Sequence, residues 1–165
     1  MSFIETLEAL RALKERKGME ERKREAEEKR LEEKKREELE MLKKVAEEKF
    51  SPAFNLTNEV YLGGRGKVSV GSYSHRANPI ACVRIDWDRY HDNSRNQEGG
   101  KRLEVTLSHG LDAKLQGFGG SPKIEFNLED EDWKAKFEQG ICSILELGES
   151  VCEWTRPLSM SGGVS

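Results

Sequence analysis

Fifteen Lys and Arg and fifteen Asp and Glu fall within the first 50 residues of this 165-residue chain, so 30 of those 50 positions are charged with no net charge. A segment of that composition holds too little apolar surface to build a core of its own. Residues 51–165 carry 13 basic and 16 acidic side chains, which accounts for the whole net charge of −3. Their apolar content suffices for one ordinary domain. Composition therefore predicts a charged helical arm over 1–50, an α+β globular domain over 51–158 and a small-residue tail over 159–165.

The arm reads as one long helix in three parts. Ser2-Phe3-Ile4-Glu5 has the spacing of a capping box, in which Ser2 and Glu5 each satisfy the other's backbone N–H. Phe3, Leu7, Leu10 and Leu13, with Ile4 beside them, recur at helical spacing. Over residues 14–38 the stripe lapses, and opposite charges meet across turns instead, as in Glu20–Arg24, Glu25–Lys29 and Glu32–Arg36. Each such pair contributes about 0.2–0.5 kcal/mol to an isolated helix. Leu39, Leu42 and Ala46 restore the stripe, with Val45 and Phe50 flanking it, and Ser51-Pro52 is expected to stop the helix. A helix from Phe3 to Phe50 spans about 70 Å at roughly 1.5 Å per residue. A coiled coil, a solvated single helix and a partly disordered segment are all compatible with this pattern. Phe3, Ile4, Leu7, Leu10 and Leu13 are the candidate partner-docking residues, because a charged helix offers them no core to join. Glu5 and Glu8 among them argue against a lipid-surface helix, whose polar face is usually rich in Lys and Arg.

The second part reads as an antiparallel β-meander packed against a C-terminal amphipathic helix. Val60–Leu62 and Lys67–Ser72 flank Gly63-Gly64-Arg65-Gly66, which reads as a hairpin turn. Ile80–Tyr90 alternates, with Ala81, Val83, Ile85 and Trp87 on one face and Cys82, Arg84, Asp86 and Asp88 on the other. A polar loop is expected over Asp92–Gly100, then Leu103, Val105 and Leu107 alternate with polar neighbours. Turns at His109–Asp112 and Gly119–Pro122 lead to Ile124, Phe126 and Leu128. Short connections between alternating strands imply one dry and one wet face. Glu129–Trp154 supplies the cover as a helix, with Trp133, Phe137, Ile141, Ile144, Leu145, Val151 and Cys152 near one face.

The cluster Asp86, Asp88 and His91 is the best catalytic or cation-holding constellation in the chain, and equally reads as an exposed strand end paired with Arg84 and Arg89. It lacks the glycine and closing Glu of a calcium loop. Gly66-Lys67 fails as a phosphate loop because residue 61 is Tyr and residue 68 is Val. Cys142 and Cys152 have no second cysteine pair, so zinc is unsupported, and no cofactor is implied. With Cys82 they make three cysteines, which suit a reducing cytoplasm better than a disulfide framework. No apolar run reaches the roughly 18 residues that cross a bilayer, and no secretory signal is visible, so the expected location is cytoplasmic.

Two binding classes then compete. Residues 65–123 hold 10 basic and 6 acidic side chains, while 124–154 hold 2 and 9, so the sheet is the basic side of the domain. Over roughly residues 67–147 the order of a sheet followed by an amphipathic helix resembles the single-strand-binding folds of the Pur-alpha and general coactivator type. Read from the residues themselves, the candidate nucleic-acid contacts are Lys67, Arg84, Arg102, Lys114 and Phe118 at outward strand positions, with Arg65, Arg76, Arg95 and Lys101 in the loops. The other class is a non-enzymatic interaction module, an adaptor, assembly subunit or inhibitor, whose N-terminal stripe docks a partner protein or another copy of the chain. The sequence favours this second class, with an unpaired meander edge as an added contact surface.

Overall fold

A computed structural model describes residues 2–117, 122–147 and 153–157. The order is α1 (Phe3–Val60), β1 (Lys67–His75), β2 (Asn78–Asp92), β3 (Gln97–Leu107), a short 3-10 turn (His109–Leu111), β4 (Asp112–Gly117), β5 (Ile124–Asn127), α2 (Trp133–Glu146) and β6 (Glu153–Pro157). The fold is α+β, with a long N-terminal helix, an antiparallel sheet and a C-terminal helix, as the alternation and periodicity imply. By contacts the chain divides into two compact units, residues 1–38 and 39–165.

In the first unit the capping box forms. The Ser2 N–H donates to Glu5 Oε2 at 2.8 Å, and the Glu5 N–H donates to Ser2 Oγ at 3.2 Å. Arg11 and Glu15 join as an i, i+4 ion pair at 3.2 Å.

In the second unit the sheet runs in the sequential order β1-β2-β3-β4-β5, with β6 pairing the first half of β3. Val83↔Val70 and Val83↔Val105 set the register across the three long strands. Ala81, Val83, Ile85, Trp87, Leu103, Val105, Leu107, Ala113 and Leu115 line the dry face. Two helical segments cover it. Phe137, Ile141 and Ile144 come from α2, as the helical periodicity predicts. Leu42, Ala46, Phe50 and Phe54 come from α1 and are all essentially inaccessible to solvent. Phe50 meets Phe126, Trp133 and Phe137 at centroid distances of 6.1, 6.1 and 5.0 Å.

Three regions of the chain depart from expectation. Pro52 does not stop α1. The helix continues to Val60, although proline removes a donor and strands the carbonyl four residues earlier. Glu48 and Pro52 are both exposed, so water reaches that carbonyl, while Phe50 and Phe54 are held in the core on the opposite side. The true stop is Gly63-Gly64. Both adopt positive φ, 61° and 84°, and the Gly64 N–H returns to the Asn58 carbonyl at 2.8 Å. The expected Val60–Leu62 strand and its hairpin are therefore a helix end, clamped by the Asn58 amide, which donates to Gly66 O and accepts from Gly66 N. The first hairpin instead joins β1 to β2 through Arg76 and Ala77, at φ 50° and 64°.

Secondly, most of the expected 92–100 loop is strand. β3 begins at Gln97 because Gly99 and Gly100 are covered by the Tyr90 ring and by Trp154. Thirdly, α2 ends at Glu146, and Trp154 lies on β6 rather than on a helix. Pairing of Gly100 with Trp154 gives that segment a backbone partner that helix continuation would forgo. Phe118, Val151, Cys152 and the 159–165 tail lie outside the described residues.

Candidate functional site

Two surfaces carry the candidate residues, one in each unit. The first is the N-terminal stripe. Phe3 is 78%, Ile4 66%, Leu7 49%, Leu10 57% and Leu13 46% exposed, and all five sit within the first three turns of α1. Single exposed apolar residues are ordinary on protein surfaces, but five in eleven positions form a contiguous patch of the kind that marks association.

The second surface is the sheet face opposite the core. Strand pleating places Lys67, Ser69 and Tyr73 of β1, Cys82, Arg84 and Asp86 of β2, Arg102, Glu104 and Thr106 of β3, and Lys114 of β4 on that side. Register pairs Arg84 with Glu104 and Asp86 with Arg102 directly across the β2–β3 ladder, and each couple forms an ion pair. Glu104 is buried although it lies on the wet face. Burial works against the Arg84 charge, but the hydrogen bond to Glu104 and its charge outweigh it and hold the guanidinium above its ordinary pKa. Burial also pushes up the Cys82 thiol and the Tyr73 hydroxyl, and Glu104 adds to both shifts. β6 completes this face. The Trp154 ring meets two guanidiniums, Arg102 at 4.8 Å and Arg89 at 5.6 Å from its centroid, and Arg156 pairs with the buried Glu98. The sequence does not signal these contacts, because the expected helix runs on to Trp154.

The expected nucleic-acid contacts are therefore largely spoken for. Arg84 and Arg102 are held as above, Arg65 meets Asp88 at 2.7 Å, Arg95 meets Asp92 at 3.7 Å and Lys114 meets Glu125 at 3.7 Å. Lys67 and Arg76 are exposed and Lys101 is half-buried. Phe118 cannot be placed, since it lies outside the described residues.

Asp86, Asp88 and His91 do not converge. Asp86 turns to Arg102, Asp88 to Arg65, and His91 Nδ1 lies 3.7 Å from Glu98. A register shift between Trp87 and Tyr90, with Asp88 at φ 49°, breaks the alternation that would have aligned the two aspartates. Among the described residues no group of three or more His, Cys, Asp or Glu is placed to hold a metal ion. Next to it, Asp92 Oδ1 accepts from the Ser94 hydroxyl at 2.6 Å and from the Ser94 and Arg95 amides. The Ser94 hydroxyl is the main reason that the Asp92 carboxyl lies below its ordinary range.

At the other end of the wet face a cavity of about 710 Å³ is lined by Tyr73, His75, Thr106, Lys114, Lys123 and Glu125 among others. It mixes both charge signs and holds the Lys114–Glu125 pair. No residue spacing in the sequence announces it, because its walls come from five strands. No helix among the described residues is long and apolar enough to cross a membrane. No family model, curated protein or solved structure matches this chain.

Proposed function

We propose that the protein is a non-enzymatic protein-interaction or assembly module that associates through the N-terminal stripe of α1, with itself or with a larger assembly. The observation that carries this reading is the exposure of Phe3, Ile4, Leu7, Leu10 and Leu13 together on one short helical segment. Burying one such side chain contributes about 1.5–3 kcal/mol, so five can hold a stable contact after the costs of association. Mixed charges along residues 14–38 keep the remainder of that unit solvated.

Single-strand binding draws less support. Five of its eight basic candidates answer to carboxylates within the chain, which leaves little uncompensated charge to displace counterions from a phosphate backbone.

The test is light scattering coupled to size exclusion on the full chain and on Leu7→Glu/Leu10→Glu. The substitutions sit on an exposed helical face, so both chains should fold alike. The parent should run as an oligomer whose association weakens by at least about tenfold in the double variant. Equal masses across the accessible concentration range would refute self-association through the stripe.

A further inference from the structure

We propose that the outer edge of β1 is a homophilic interface, at which β1 of a second copy pairs antiparallel about Gly71 and joins two sheets into one. This surface is separate from the helix stripe and does not depend on it. Among the described residues β1 pairs with β2 and with no other strand. Nine consecutive pairs, from Lys67↔Asp86 to His75↔Asn78, run without a register shift. A strand this regular presents on its outer side the N–H and C=O of every second residue, in a row that another extended backbone satisfies best.

Proteins usually protect such an edge by shortness, proline, charge, a bulge or a covering loop. Among the described residues β1 has none of these along its length. Its sequence, KVSVGSYSH, contains no proline, and Lys67 at its first position is its sole Lys, Arg, Asp or Glu. Ser69 and residues 72–75 are exposed. The opposite edge, β5, has four residues and lies against α2.

The strand's own composition selects a second copy as the occupant. Pairing about a dyad at Gly71 sets Val70 opposite Ser72, Val68 opposite Ser74, Ser69 opposite Tyr73 and Lys67 opposite His75. Val68 and Val70 already pack at the margin of the core, and on their side of the joined sheet the two Val70 side chains become diagonal neighbours across the dyad, flanked by Ser72 and Ser74. Gly71 faces itself, and no side chain crowds the centre. The two Lys67 residues stand eight residue steps apart, about 27 Å at roughly 3.4 Å per step, so the lysines do not oppose each other.

The test uses the full chain carrying Leu7→Glu/Leu10→Glu, so that the helix stripe does not contribute, followed by sedimentation equilibrium. This parent should dimerise with concentration. Adding Ser69→Lys/Tyr73→Lys sets like charges opposite each other twice across the dyad and should weaken dimerisation by about tenfold or more. Adding Ser69→Lys/Tyr73→Glu sets opposite charges there and should restore it to within about threefold. Circular dichroism and cooperative melting check that each chain remains folded. A folded parent that stays monomeric, or a double-lysine chain that dimerises as tightly as its parent, would overturn the interface. Equal weakening by both charge variants would overturn the register about Gly71. Failure of the helix stripe reads separately, as unchanged association on introducing Leu7→Glu/Leu10→Glu.

Discussion

Arg84 and Glu104 face each other across the central ladder with unequal solvent access, the carboxylate buried and the guanidinium about one third exposed. Removing one partner of such a pair leaves the other charge without compensation in a poorly hydrated place. Arg84→Ala should therefore destabilise the domain by about 2–4 kcal/mol, measured by urea denaturation. Lys114→Ala, which breaks a pair whose lysine and glutamate are both exposed, should cost under about 1 kcal/mol. The contrast matters for any binding study. A loss of affinity in an Arg84 variant has to be separated from a loss of fold, whereas Lys114 variants report on the surface alone. From the sequence both residues read as outward cations of equal standing. Register sets a glutamate opposite each, and what distinguishes them is that Glu104, on the central strand β3, is buried whereas Glu125, on the edge strand β5, is exposed, and single-strand alternation contains no information about either.

At the scale of elements, alternation was the reliable guide. Ala81–Trp87 and Leu103–Leu107 have one packed and one wet face, so their period of two is visible, and Phe137, Ile141 and Ile144 show the helical period for the same reason. Boundaries were legible only where local chemistry decides them. Gly63-Gly64 looks like a hairpin turn and acts as a helix stop, because glycine at positive φ serves both uses. Arg76-Ala77 turns a hairpin with residues that rarely do so, since the long β1–β2 ladder imposes the geometry. Trp154, the last residue of the expected helix, lies instead on β6, where β3 offers it a backbone partner. Among the candidate sites, the N-terminal stripe could be named from spacing alone, whereas the wet-face ion pairs depend on strands far apart in sequence. Pro52 gives this scale its prediction. Tertiary burial of Phe50 and Phe54 overrides its intrinsic penalty, which reaches about 3 kcal/mol in a helix interior. Pro52→Ala should therefore stabilise the domain by about 1–3 kcal/mol, visible as a raised melting temperature.

For the molecule as a whole, composition and packing divide the chain at different places. Charge density changes after Phe50, but the core includes Leu42, Ala46 and Phe50, and the second compact unit starts at Leu39. A chain beginning at Leu39 should melt cooperatively in scanning calorimetry, and a chain beginning at Ser51, deprived of those three side chains, should show no such transition. The same packing has a consequence during synthesis. Phe50 emerges from the ribosome about 87 residues ahead of its partner Phe137, an interval of about 4–17 s at roughly 5–20 residues per second. For those seconds an amphipathic helix with Leu42, Phe50 and Phe54 uncovered waits beside a growing sheet, and it is then, before the fold closes, that the nascent chain most resembles a substrate for a chaperone.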